Sequence, residues 1–177
     1  MTTNNWAAFE EAEPEFARAV RARFAQYPHH VLGTLRKDGS PRLSGLTVDI
    51  RGGELWLGMM AGSLKARDLQ RDPRFALHTN PGEGEAMPDG DVRICGRALE
   101  LVDPPELHRY AEETETPHPF HLFHADLTEV VRTTVQGDEL VVRSWTPDHA
   151  LRTLRRRNDD EPPHEDAATD TPASPTT

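Results

Sequence analysis

Phe9, Phe16, Val20, Phe24 and Tyr27 follow one another at intervals of seven, four, four and three residues, which places them on one face of a helix. Pro14 suits the first turn of that helix, and residues 6–9 read as a short helical lead-in with Trp6 as a packing anchor. From Val31 onward the pattern changes to strands. Residues 31–36 read as a strand, Lys37-Asp38-Gly39-Ser40-Pro41 as a hairpin turn centred on Asp-Gly, and residues 42–50 as the return strand. Arg51-Gly52-Gly53 turns the chain into a third strand over 54–60. A helix over 63–71 follows, stopped by Asp72-Pro73, and a fourth strand runs over 74–79. Residues 80–90, rich in Pro, Gly and acids, form a loop. A longer strand covers 91–102, with Gly96 inside it as a bulge or a point of close approach. Residues 105–115 read as a short helix, 116–119 as irregular, 127–135 and 140–145 as a final hairpin, and 148–156 as a short helix.

Six or seven strands in hairpins, with one helix inserted after the third, predict a mainly β fold with peripheral helices, built as a small antiparallel barrel. Residues 1–30 would be an N-terminal helical segment packing on the barrel, 31–157 the barrel itself, and 158–177 a tail. That tail carries six acids and no Lys or Arg, with too little apolar surface to offset the entropy of ordering, so it is expected to be disordered.

Charge narrows the function classes. The 177 residues carry a net charge of −10, and with the tail set aside residues 1–157 are at −4. This balance argues against nucleic acid as a partner, for which a basic face is expected. The one basic run, Arg155-Arg156-Arg157, reads as the solvated end of the fold, paired with the acidic tail. No apolar run approaches the length of a membrane span and no signal peptide precedes the acidic N-terminal region, so the expected location is cytoplasmic and away from membranes. The lone Cys95 agrees with a reducing compartment.

Of the 20 basic residues only two are lysines, and Lys65 stands just behind Gly62-Ser63. A Gly-Ser turn opening a helix presents free N–H groups, and Lys adds a mobile charge, so together they could hold a phosphate; an ordinary helix start with a solvated lysine is the alternative. Context is what distinguishes them. The order Thr34-Leu35-Arg36-Lys37-Asp38-Gly39-Ser40-Pro41-Arg42, then Gly53-Glu54-Leu55-Trp56-Leu57-Gly58, then Ser63-Leu64-Lys65 through Asp72-Pro73-Arg74, resembles the pyridoxamine 5'-phosphate oxidase-like family of FMN-binding split barrels. The Asp91 to Ala98 strand and Trp145-Thr146-Pro147 also fit.

That resemblance implies an antiparallel split β-barrel of the FMN-binding type, a homodimer with cofactor at its interface, and flavin-dependent oxidoreduction of a small organic substrate. It implies that Lys65 and Arg42 reach the cofactor phosphate and that Ser44, Gly58 and Met59 shape the ring slot. Leu43, Met60 and Ser63 complete the implied cofactor set. Trp145 would lie where a C-terminal segment covers the cofactor, or would close the barrel core as a packing residue. Several positions depart from the oxidases: Leu64 replaces an arginine, Thr47 a lysine and Asp91 a glutamine, and no C-terminal Arg-His element is recognisable. These departures point away from oxidation of vitamin B6. A deazaflavin-dependent reductase, with Arg67 and Arg71 widening the basic channel, and a non-catalytic flavin- or haem-binding barrel are the alternatives.

His118, His121 and His124 recur every three residues, but no carboxylate or Cys pattern completes a recognised metal site, so they read as histidines in a loop, with a haem ligand as the lesser reading. Cys95, on an apolar strand, reads as core. Ser44 and Ser63 have no His/Asp partners in sequence that would make a nucleophile.

Overall fold

The computed structural model describes residues 4–80, 82 and 89–166. The aromatic stripe does form helices, as two short ones. α1 (Trp6–Ala12) starts at Asn5, whose side chain accepts from the Ala8 N–H at 3.1 Å, and α2 (Pro14–Ala25) starts on Pro14, whose missing N–H costs nothing there. Trp6, Phe9, Phe16, Val20 and Phe24 are all buried. Trp6 and Phe16 each meet Phe9 edge-on, at 5.4 and 5.8 Å between ring centroids.

The strands are β1 (His30–Leu35), β2 (Pro41–Leu46), β3 (Val48–Arg51), β4 (Glu54–Met60), β5 (Arg74–His78), β6 (Asp91–Glu100), β7 (Phe120–Gln136), β8 (Glu139–Trp145), β9 (Arg152–Arg157) and β10 (His164–Glu165). Between them lie α3 (Leu64–Arg71) and α4 (Pro104–Thr114). Every strand pairing is antiparallel, and the sheet runs β10-β9-β8-β7-β6-β5-β1-β2, with the β3–β4 hairpin attached separately to β7. β2 and β3 are not paired to each other, so the sheet does not close. This is an antiparallel split β-barrel with peripheral helices.

Three strand boundaries differ from the sequence reading. Residues 42–50 are not one strand: the chain breaks at Thr47, β2 pairing with β1 and β3 with β4. β7 begins at Phe120, so His121 and His124 lie on a strand rather than in a loop. Residues 152–157 form β9 along the open edge of β8, where a helix was expected. Arg and Leu favour helices intrinsically, but backbone groups on a free strand edge draw the segment into the ladder.

The tail also departs from the expected disorder over its first part. β10 pairs with β9, Arg152 meets Glu165 at 2.8 Å, and Arg155 meets Asp166 at 3.0 Å. Residues 167–177 of that expectation, and most of the 80–90 loop, lie outside the described residues. No helix among the described residues is long and apolar enough to cross a membrane.

β6 and β7 change register at Cys95/Gly96, the bulge expected there. A Cβ on Gly96 would stand 2.3 Å from the Asp126 carbonyl oxygen, so two backbones approach where only glycine fits. Gly96→Ala should therefore destabilise the fold by about 2–3 kcal/mol, read as a lowered denaturant midpoint with unchanged m-value.

Candidate cofactor cleft

β4 alternates strictly: Leu55, Leu57 and Met59 are buried on the core face, and Trp56, Gly58 and Met60 face the other way. After Met60 the chain turns through Gly62, at φ +70°, into α3. Ser63 is the N-cap of this helix, yet its hydroxyl makes no capping bond; its Oγ is buried without a hydrogen-bond partner. Lys65 reaches across to β2, its Nζ donating to the Gly45 carbonyl at 2.5 Å. Burial lowers the pKa of this ammonium from the usual lysine value.

Gly58, Met59, Met60, Ser63 and Lys65, all expected at the site, line one cleft of about 360 Å³ together with His29, Gly45 and Thr47. A Cβ placed on Gly58 or Gly45 would meet nothing within 4 Å, so both leave open space above the main chain. The donors suit a phosphate-bearing ligand. A lysine with two N–H groups to spare and an unengaged serine hydroxyl line the cleft at the start of α3, and the glycines leave a slot for a flat ring.

The other expected residues fall elsewhere. Arg42 turns toward α3, where its Nε donates to Asp68 Oδ2 at 2.7 Å, and it lines a separate hollow with Arg36, Lys37, Leu64, Arg67 and Arg71. Ser44 Oγ is buried without a partner, but Ser44 does not line the cleft. Leu43 is 74% exposed on the outer side of β2. Trp145 is 3% exposed and stacks on Phe9 at 4.8 Å; it belongs to the core, because α1 covers the end of β8.

Two anchors of α3 carried no signal in the sequence. Asp68, 4% exposed, accepts from Thr34 Oγ1 at 3.0 Å and Arg71 Nη2 at 3.1 Å as well as from Arg42. Burial works to raise its pKa, but the hydrogen bonds from Arg42, Arg71 and Thr34 and the charge of Arg42 outweigh it, so the carboxyl lies below its usual value. His121 is the second anchor, bonded to Glu100 at 2.7 Å through Nδ1 and to the Gly62 N–H at 3.2 Å through Nε2. The three histidines do not converge. His118 stacks on His108, and His124 lies 3.8 Å from Glu54. Among the described residues no group of His, Cys, Asp or Glu is placed to hold a metal. Cys95 is half-buried rather than core, and burial pushes its thiol pKa up.

Beside the cleft, and sharing Thr47, Gly58, Met59 and Met60 with it, opens a larger hollow of about 930 Å³ between β3–β4 and α4. Tyr110 and Phe120 wall it, 6.2 Å apart between rings, and burial with the nearby Asp49 charge pushes the Tyr110 phenol up to about 12. Its charged groups are mostly acids, and its one arginine, Arg51, is taken up by Asp49 at 3.0 Å and Glu113 at 3.4 Å.

A family model described as pyridoxamine 5'-phosphate oxidase matches residues 16–133. No curated protein matched the sequence. Among solved structures, a heme binding protein from Mycobacterium smegmatis aligns with TM-score 0.53 and 21% identity, over 72% of this chain and 57% of its own length. A Listeria innocua protein provisionally described as pyridoxamine 5'-phosphate oxidase aligns with TM-score 0.52 and 15% identity, over 64% of this chain and 94% of its own. The heme storage protein HutZ from Vibrio cholerae aligns with TM-score 0.50 and 16% identity, over 76% and 94%. Identities this low establish a shared fold only.

Asp68 supplies a test of how α3 is held. Asp68→Ala leaves two guanidinium groups and a threonine hydroxyl without their acceptor, a loss of about 3 kcal/mol in chemical denaturation. Because its folded pKa is depressed, the stabilisation from Asp68 is present above the unfolded carboxylate pKa. It is lost as pH falls through the lower folded value, and the variant should lack that part of the acid dependence.

Proposed function

The chain belongs to the pyridoxamine 5'-phosphate oxidase family, and from that premise we propose that it is a flavin-dependent oxidoreductase holding FMN in the Lys65 cleft and acting on a small organic substrate. The observation that carries this reading is the pairing of an unpartnered Ser63 hydroxyl and a partly desolvated Lys65 with the open space over Gly58. Lys65 and the first N–H groups of α3 would hold the phosphate, and Gly58 would admit the ring. Bound there, FMN supplies the hydride chemistry, while the protein orients it and limits access of water.

The substrate would enter from the neighbouring hollow, which shares the Gly58–Met60 wall. With Arg51 engaged by Asp49 and Glu113, and Glu112 and Glu115 also on the rim, that hollow disfavours a phosphorylated substrate and suits a neutral or cationic one. The proposal includes a homodimer with the cleft at its interface. Met60 on the cleft wall and Leu64 beside Ser63 are 82% and 57% exposed, apolar surface that a second copy would cover.

A second reading has one specific observation in its favour. His29 lines the same cleft, and an imidazole there could ligate haem iron, the group named for the M. smegmatis protein and HutZ. Absorbance titrations with FMN, a deazaflavin and haem separate these readings, and failure of all three to bind at micromolar concentration overturns the cofactor assignment. Lys65→Ala should weaken FMN binding more than tenfold, corresponding to a charged contact of about 1.5–3 kcal/mol. Gly58→Val should leave the melting temperature of the FMN-free protein nearly unchanged and abolish FMN binding, since its side chain fills only the slot.

A further inference from the structure

The turn that presents Ser63 and Lys65 is short and glycine-containing, and one imidazole ties its main chain to β7. His121 stands on the first residues of β7, opposite Met59 of β4 in register. Its Nδ1 lies 2.7 Å from Glu100 Oε1 at the end of β6, and its Nε2 lies 3.2 Å from the Gly62 nitrogen. Glu100 in turn accepts from Gln70 Nε2 of α3 at 3.1 and 3.0 Å through its two oxygens. The chain of contacts therefore starts at the Gly62 turn, crosses β7 and β6, and returns to the far end of the helix that the turn opens.

The chemistry of the two partners selects one protonation state. A carboxylate only accepts, so Nδ1 must carry the proton; a backbone N–H only donates, so Nε2 must present its lone pair. Only the neutral Nδ1–H imidazole satisfies both. A second proton on Nε2 would set two donors against each other at Gly62.

Among the described residues, the charged groups at this corner are Glu100 from β6 and Arg67 of α3, whose Nη2 lies 4.0 Å from the position of a Gly62 Cβ. Met59 and Gly62 from the β4 side and Gln70 from α3 bring none.

We propose that His121 is the positioning residue of the cofactor-phosphate turn: as neutral imidazole it holds the Gly62 N–H and thereby sets Ser63 and the first turn of α3, and protonation releases the turn. His121 is not among the residues that line the cleft and acts through Gly62. The inference rests on the reading of the cleft as an FMN site for its binding consequence, but not for its structural one.

Two readouts keep these separate. In the FMN-free protein, amide hydrogen exchange at Gly62 is compared at one pH between wild type, His121→Ala and His121→Gln. A glutamine amide offers one donor and one acceptor at nearly the spacing of the two ring nitrogens, and it does not titrate. Exchange should speed several-fold in His121→Ala and stay near wild type in His121→Gln.

FMN titrations between pH 8 and pH 5.5 form the second arm. His121→Ala should bind about three- to tenfold more weakly at pH 8, and His121→Gln like wild type. The phosphate of FMN itself takes up a proton near pH 6, which weakens binding in every variant. The expected signature is thus the additional loss of affinity in wild type over His121→Gln as pH falls. Unchanged Gly62 exchange in His121→Ala, or parallel pH profiles for wild type and His121→Gln, overturns the proposal. Absence of FMN binding in wild type at every pH instead overturns the cofactor reading, and the exchange arm then decides the role of His121 alone.

Discussion

The barrel depends on the backbone of β7, a 17-residue strand with more partners than two edges ordinarily accommodate. On one edge it pairs with β6 from Phe123 to Thr133. On the other it pairs first with β4, at residues 120–124, and then with β8, at residues 130–136. Between those two partners lies a gap that would leave ladder groups unmet. The N-terminal segment fills it: Leu127 N–H donates to the Asn4 carbonyl at 2.8 Å, and Asn4 N–H donates to Asp126 Oδ1 at 2.8 Å. The same segment brings α1 over the barrel end, with Phe9 against Trp145. The attachment of the β3–β4 hairpin, the seat of the N-terminal helices and the path of β4 toward the cleft are all consequences of how one strand satisfies its hydrogen bonds.

The cleft sits where that arrangement leaves a seam. β2 leaves the β1 side and β3 joins the β4 side, with Thr47 between them, and α3 spans the opening. Ala66 and Leu69 bury one face of this helix in the core, and polar anchors fix the rest of it. Asp68 ties its middle to the β1–β2 hairpin through Thr34 and Arg42, and Glu100 and His121 tie its two ends to β6 and β7. The cost is visible in Arg42: a charge that stands ready in the sequence to meet an anion is committed to a buried carboxylate. Lys65 has no carboxylate partner among the described residues and is left as the ammonium facing the cleft.

Much of this was legible along the chain. The helical stretch read from the aromatic stripe, though broken at Glu13 and ended before Tyr27, the Asp-Gly hairpin, the helix behind Gly62-Ser63 and the irregularity at Gly96 all follow from local chemistry. The grouping of Gly58, Met60, Ser63 and Lys65 was legible for the same reason. They lie within eight residues on one strand, one turn and one helical turn, so local geometry alone keeps them together. Trp145 was ambiguous because an aromatic residue serves a core and a ligand lid equally well; only the position of α1 separates the two.

Local pattern thus decides the elements, their order and the short stretch that could hold a phosphate, because backbone propensity and side-chain period act over a few residues. Contacts between distant segments decide the rest. Asp68 and Arg42 lie 26 residues apart, His121 and Gly62 lie 59 apart, and Asn4 and Asp126 lie 122 apart. No periodicity links such pairs. They are set by which strand edges pair and by the need of each buried donor or acceptor to find a partner, and those conditions exist only once the sheet has formed.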